Sequence, residues 1–121
     1  MSNPWGVILI CKPKLLYCFS NELTGLKLSG LSQLSLIYAY FNNFEYIELE
    51  GCSVINMMFV YNNDLKKLDI SSCSGDYLKN FDCEDNYCLE EIKVWPSFDI
   101  ENPPSGYLKP SSAKYVYEFS E

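Results

Sequence analysis

The sequence predicts a mainly β solenoid of about four coils, closed at its C-terminal end by one more strand. Asparagine recurs at a regular interval, because Asn21, Asn42 and Asn63 are twenty-one residues apart and Asn86 follows after twenty-three. Apolar residues recur at the same distances from each asparagine, and apolar and polar residues alternate as in a strand with one buried face. Such a chain stacks coil on coil, so that equivalent residues touch at the strand spacing of about 4.8 Å.

The residues that recur around the asparagines are predicted to form the columns of the core. Before the asparagine, the columns are Leu16, Ile37, Met58 and Phe81, and then Cys18, Ala39, Val60 and Cys83. After it, they are Leu23, Phe44, Leu65 and Leu89; Leu26, Ile47, Leu68 and Ile92; and Leu28, Leu49, Ile70 and Val94. A single unit cannot bury these residues, whereas stacked units can, so the stability is expected to come from contacts between neighbouring coils.

Written as one unit, the pattern is LxxLxCxxNxLxxLxLxxC, with the second halves "LTGLKLSGL", "FEYIELEGC" and "LKKLDISSC". Over residues 15–95 it resembles the leucine-rich repeat, in the short nested class of about twenty-one residues found in bacterial surface proteins. We therefore assign residues 1–95 to a leucine-rich-repeat array and residues 96–121 to a C-terminal capping segment, in which "KYVYEF" (114–119) alternates as a closing strand.

The four asparagines are predicted to be structural. A turn between half-repeats leaves backbone groups directed inward, and a buried asparagine offers both donors and an acceptor to satisfy them. The predicted ladder consists of Asn21, Asn42, Asn63 and Asn86. The alternative is that the row of side-chain amides contacts a ligand.

The predicted binding site is a strip of aromatic residues on one face. If the core columns point inward, the residues between them point outward, because successive strand side chains face opposite sides. The two outward files are Tyr17, Tyr38, Phe59 and Asp82, and Phe19, Tyr40, Tyr61 and Glu84. Six half-exposed rings would leave roughly 600 Å² of contiguous apolar surface, which is large for a monomer and indicates a partner. The alternative is that the rings only stabilise the sheet by cross-strand pairing.

The second half-repeats predict a contrasting polar face. Their outward files are Lys27, Glu48, Asp69 and Lys93, and Ser29, Glu50, Ser71 and Trp95. The resemblance to leucine-rich repeats implies that the aromatic face binds another protein. A row of flat rings also fits a glycan, as in a carbohydrate-binding adhesin module, and a third interpretation is a C-terminal fragment of a larger surface adhesin with only a structural role.

Composition argues against several other functions. The chain has 121 residues, a formal charge of −7 and no histidine. The negative charge disfavours binding to nucleic acid, and the absence of a long apolar run argues against membrane insertion. Without histidine, the common pairs of a nucleophile and a histidine base are impossible, so we predict neither an enzyme nor a cofactor. The acid pairs Glu48 with Glu50 and Glu90 with Glu91 are interpreted as surface charge. Asp82, Glu84 and Asp85 are read as a solubilising patch in preference to a weak calcium site.

The six cysteines are predicted to be packed thiols rather than disulfides. Cys18 and Cys83 share a column but lie on the order of 14 Å apart at strand spacing. Cys52 and Cys73 are close enough for a bridge, but Leu31 occupies the same slot one unit earlier, which favours a small apolar filler. The pattern does not place Cys11 or Cys88.

The compartment and the oligomeric state stay open at this stage. Unpaired thiols favour the cytoplasm, and no signal peptide is visible in the chain, whereas the family resemblance implies a surface or secreted protein. Residues 7–11 read as half a repeat without a polar cap, which predicts either a truncated gene product or a homodimer through the N-terminal coil.

Overall fold

In the computed structural model, which describes residues 14–18 and 24–120, the chain is a mainly β solenoid of about four turns, as the sequence predicts. The strands are β1 (Leu15–Tyr17), β2 (Gly25–Lys27), β3 (Leu36–Tyr38), β4 (Tyr46–Glu48), β5 (Met57–Phe59), β6 (Lys67–Asp69), β7 (Asn80–Asp82), β8 (Glu91–Lys93), β9 (Tyr107–Leu108) and β10 (Lys114–Val116). Turns and bends join them, and the described residues contain no helix long and apolar enough to cross a membrane.

The strands form two sides of the coil. The first side is one five-stranded parallel sheet in the order β1-β3-β5-β7-β9, with Tyr17 beside Tyr38 and Phe59 beside Asp82. The second side is divided into β2-β4 and β6-β8-β10, so the ladder of hydrogen bonds is interrupted between β4 and β6. The alignment on asparagine therefore predicted the register of both sides.

The predicted core columns are buried wherever the structure describes them. Ile37, Met58 and Phe81 are fully enclosed, and in the other columns every described member is at most 5% exposed. Leu23 lies outside the described residues. Since each column joins residues one repeat apart, the core is continuous along the solenoid and is built almost entirely from contacts between coils.

The asparagine ladder is present in the coils that the structure describes. Nδ2 of Asn63 donates to the carbonyls of Ala39 (2.9 Å), Val60 (3.0 Å) and Tyr61 (3.3 Å), and its Oδ1 accepts the N–H of Phe44 at 3.1 Å. Asn42 and Asn86 donate in the same way. Asn21 lies outside the described residues. Asn42, Asn63 and Asn86 thus bond to buried backbone groups at the turns, which is the contact that the structural interpretation predicts.

An aromatic cluster closes the C-terminal end of the solenoid. Phe98 lies 5.1 Å from Trp95, 6.0 Å from Tyr107 and 4.8 Å from Tyr115, measured between ring centroids. β10 extends the second side, as the alternation in residues 114–119 predicts, although the strand ends at Val116. β9, which was not predicted from the sequence, extends the five-stranded sheet. The outward position predicted for Trp95 is wrong, because β8 ends at Lys93 and the ring turns onto Phe98, leaving Trp95 only 8% exposed.

The C-terminal tail returns to the second side and is held there by Glu91. This carboxylate is 4% exposed, accepts the Ser120 hydroxyl at 2.8 Å and lies 3.6 Å from Nζ of Lys67. The hydrogen bond from the Ser120 hydroxyl, aided by the Ser120 amide and by Lys67, lowers the pKa of Glu91 against the opposing effect of burial. The reading of Glu91 as surface charge is therefore wrong, since the tail covers it.

The cysteines behave as packed thiols in the later coils. Cys52 and Cys73 are buried and not bridged, and Cys52 Sγ donates to the carbonyl of Leu28 at 3.1 Å. Leu31 is 39% exposed, so the prediction that it fills the same slot is wrong. Cys88 is exposed, and Cys11 lies outside the described residues, as does the predicted N-terminal half-repeat.

We expect Asn63→Ala to destabilise the protein by about 3 kcal/mol, because buried carbonyls and one N–H lose their partner. The matched control is Asn56→Ala, which removes a single bond to the carbonyl of Tyr77 and is expected to cost about 1 kcal/mol. Urea denaturation measures both. Equal losses for the two variants would show that the ladder is not the source of the stability.

We expect Glu91→Gln to lower the melting temperature at pH 7. A carboxylate whose folded pKa lies below its unfolded value of about 4.3 stabilises the protein above that pH, and this contribution is lost as the pH falls through the folded pKa. The difference from wild type should therefore vanish in acid. Glu90→Gln, at the exposed neighbouring position, is the control and should show no such dependence. A Glu91→Gln deficit that is constant with pH would contradict this account.

Candidate functional site

The predicted outward files lie on the outer surface of the five-stranded sheet. Tyr17, Tyr38 and Phe59 are half-buried and stand side by side on β1, β3 and β5, followed by Asp82 on β7. Tyr40 and Tyr61 form the second file with the exposed Glu84, and the amide of Asn62 donates to the Glu84 carbonyl at 3.0 Å. Phe19 lies outside the described residues.

Neighbouring rings in each file lie against one another, and two of the three described pairs stack face to face. Tyr17 and Tyr38 are 4.8 Å apart with planes inclined by 11°, and Tyr40 and Tyr61 are 4.9 Å apart and inclined by only 3°. Tyr38 and Phe59 are 5.5 Å apart and tilted by 35°. Because the rings stack along the solenoid, their faces look along its axis and cover one another. The surface offered to solvent is therefore made of ring edges and phenolic hydroxyls.

A third apolar file flanks the rings, and the sequence analysis missed it. Leu15, Leu36 and Met57 begin β1, β3 and β5 in register, and all three are half-buried on the outer side. The sequence did contain a signal for this file, because each of the three residues stands two positions before an aromatic residue and therefore faces the same side of the strand. We call the combined surface the aromatic face; its residues are Leu15, Leu36, Met57, Tyr17, Tyr38, Phe59, Tyr40, Phe41 and Tyr61.

Phe41 belongs to the aromatic face although the alternation gave no sign of it. Its ring is 51% exposed and meets Tyr40 and Tyr61 edge-on, at 5.6 and 5.7 Å. The backbone of Phe41 has φ 55°, in the left-handed region, as do Asn62 (φ 58°) and Asp85 (φ 55°) at the equivalent positions of later coils. Asn and Asp tolerate this conformation, whereas a bulky ring is unusual there. The strain is offset by the contacts of the ring with its two neighbours.

The aromatic face ends in carboxylates at its C-terminal edge. Asp82 lies between Phe59 on one side and Leu108, which is 47% exposed, on the other. Oδ1 of Asp82 accepts the amide of Glu84 at 3.0 Å, so the carboxylate is held in place by its own loop. Burial, the neighbouring Tyr40 and the charge of Asp82 together raise the pKa of Tyr61, so this hydroxyl stays protonated as a donor at neutral pH.

The second side of the solenoid carries a polar cleft of about 570 Å³. Its lining comes from both sides of the interrupted ladder; it includes Ser29, Glu48, Leu49, Glu50, Asp69, Ser71, Ser72 and Lys93. Within residues 14–18 and 24–120, no group of three or more His, Cys, Asp and Glu side chains could hold a metal ion. The cleft is lined by serines, acids and one lysine, and its carboxylates do not form a metal-binding group within the described residues.

The buried thiols are poor nucleophiles. Burial raises the pKa of Cys73 to about 12, with the charge of Asp69 acting in the same direction, and burial also raises the pKa of Cys83 strongly. Both thiols are therefore protonated at neutral pH. In the described part of the chain, the arrangement that stands out chemically is the aromatic face.

Comparison with family models, curated proteins and solved structures gave no match.

We expect Phe41→Asn to change the free energy of unfolding by no more than about 1 kcal/mol. Relief of left-handed strain, on the order of 1 kcal/mol, opposes the loss of two partly exposed edge contacts of similar size. Phe81→Ala, which removes a fully buried ring, is the contrast and should cost about 3 to 5 kcal/mol. Thermal unfolding measures both, and a large loss in Phe41→Asn would mean that the ring is mainly structural.

Proposed function

We propose that the protein is an interaction module that binds another protein through its aromatic face. The observation that carries the proposal is the concentration of nine outward apolar residues on one side of the solenoid, while the other side is polar and partly covered by the tail. Solubility alone gives no reason for this difference between the two sides, and contiguous apolar patches rimmed by polar residues mark interaction sites.

The stacked geometry favours a protein partner over a glycan. Sugars bind aromatic residues by lying flat on a ring face, but here neighbouring rings lie 4.8 to 5.5 Å apart, so within each file the rings cover one another and only the last ring has no ring beyond it. Ring edges and hydroxyls remain, and these suit the mixture of apolar side chains and backbone groups that a protein surface presents. Because each ring is held by its neighbours, little side-chain freedom is lost on binding.

The repeat pattern supports the same proposal. We infer that the solenoid is of the leucine-rich-repeat type, on the strength of the unit LxxLxCxxNxLxxLxLxxC and of the asparagine amides that bond to the turn carbonyls. In that family the sheet face commonly recognises proteins. A surface location, as in bacterial members of the family, belongs to this proposal too.

Phe41 is the proposed anchor of the interface. It is the most exposed ring of the aromatic face, at 51%, and it stands where the equivalent positions carry Asn62 and Asp85. Residues held in unfavourable backbone conformations tend to occur at functional sites. A protruding aromatic ring that fills a pocket on the partner is the usual form of an interface hot spot.

The test uses the full chain as the immobilised target and selects binding peptides from a displayed library of random dodecapeptides. We expect bound peptides to lose at least tenfold in affinity with Tyr40→Ala/Tyr61→Ala and about thirtyfold with Phe41→Asn, which corresponds to about 2 kcal/mol for a hot spot. Isothermal titration with synthetic copies of the selected peptides measures the affinities, and circular dichroism verifies the fold of each variant.

Tyr46→Ala is the matched control, because this exposed tyrosine lies on the second side of the solenoid. Binding that is insensitive to Phe41→Asn and to the double variant, or equally sensitive to Tyr46→Ala, would overturn the proposal. A glycan array provides the rival result: ring-dependent binding to sugars without ring-dependent binding to peptides would replace the protein partner by a carbohydrate.

A further inference from the structure

At the C-terminal edge of the aromatic face, a short acidic side chain lies between two apolar ones, and we call the position above it the slot. In the file of Tyr17, the ring of Phe59 is followed by Asp82 and then by Leu108, in register on β5, β7 and β9. Aspartate is much shorter than either neighbour. Because the strands of Phe59 and Leu108 are two spacings apart, about 9.6 Å, the two apolar side chains leave room for one inserted side chain above the carboxylate.

Among the described residues, no ring stacks on the last ring of either file from the C-terminal side. Phe59 and Tyr61 each stack on a ring of the preceding coil, but the next coil presents Asp82 and Glu84 instead of rings. In each file, the position that follows the last ring is therefore held by a carboxylate instead of another ring. A cation placed there would meet aromatic π-density from one side and carboxylate oxygen from below.

The acids of the slot have no cationic partner among the described residues. The ion pairs found in this part of the chain, Lys67 with Glu91 and Lys93 with Glu118, both lie on the second side. Lys109 directly follows Leu108, but its Nζ donates to the carbonyl of Ala113 at 2.6 Å and lies over the ring of Tyr115. The charge at this edge of the aromatic face is therefore available to a partner.

We propose that the slot between Phe59 and Leu108 receives an arginine side chain of the protein partner. The proposal rests on the proposed function, since it adds a charged contact to the same interface. Arginine fits better than lysine, because a planar guanidinium can stack on the ring of Phe59 while its N–H groups donate to Asp82 and Glu84. A second copy of this chain is disfavoured as the occupant, because each copy carries a net charge of −7.

The experiment uses the same dodecapeptide library and reads the composition of the selected peptides. We expect arginine to be enriched in peptides selected on the wild-type chain. Replacement of that arginine by citrulline, which has a similar shape but no charge, should weaken binding about tenfold, and added salt should weaken the arginine peptide more than the citrulline peptide.

Variants of the slot test the contact directly. Asp82→Asn keeps the Oδ1 acceptor for the Glu84 amide and removes the charge, and Glu84→Gln does the same for the neighbouring acid. With both changes, the arginine and citrulline peptides should bind equally well. Glu48→Gln/Glu50→Gln removes the same charge from the second side and should leave the tenfold preference for arginine intact.

The outcomes separate this inference from the function on which it rests. The arginine slot would be overturned by peptides that need Phe41 but carry no basic residue, or by peptides that bind equally well as citrulline analogues. Neither result would contradict the proposed interaction module. A preference for arginine that survives in Asp82→Asn/Glu84→Gln would also overturn it. A library that yields no binder dependent on the rings would overturn both proposals.

Discussion

The architecture depends on one kind of hydrogen-bonded unit, the buried asparagine amide that ties each turn to the coil before it. Asn63 donates to Val60 and Tyr61 in its own turn and to Ala39 in the preceding coil, and it accepts the amide of Phe44. The same group thus closes the turn and fixes the offset between coils. Without it, several buried carbonyls would face an apolar core, which costs far more than the bonds contribute on average.

The fixed offset determines the outer surface as well as the core. Once equivalent residues lie one strand spacing apart, aromatic residues at the same position in successive coils must stack, as Tyr40 and Tyr61 do at 4.9 Å. Stacking covers the ring faces and leaves edges and hydroxyls outside. The proposed preference for a protein partner over a sugar therefore follows from the register that the asparagines impose.

The sequence predicts the core and the outward files because the position of a residue relative to the asparagine decides which side of the strand it faces. It identified the buried columns and the stacked files of Tyr38 and Tyr61. The alternation rule fails where a strand ends, so Trp95 turns inward instead of following Ser71 outward. It also gives no account of contacts between distant segments, such as the tail that covers Glu91.

The outward position of Phe41 was not predicted from the sequence, for a different reason. Its orientation depends on a left-handed backbone, which hydrophobic periodicity does not report. The alignment did indicate the left-handed conformation, since Asn62 and Asp85 occupy the equivalent positions and are residue types that tolerate a positive φ. A phenylalanine aligned with such residues is a local inconsistency, and inconsistencies of this kind tend to occur at functional sites.

The repeat also gives the aromatic face a direction. A perfectly repeating solenoid would present the same rows from end to end and would give a partner no preferred position along its axis. Here the rows of rings stop at β7, where Asp82 and Glu84 replace them, and Leu108 follows. In the proposed complex, the apolar rows supply contact area, while the charged edge disfavours a shift by one coil, because that shift would move an apolar group of the partner onto a carboxylate. The register within the chain is thus set by asparagines in the core, and the register of the proposed complex by the point where the aromatic rows end.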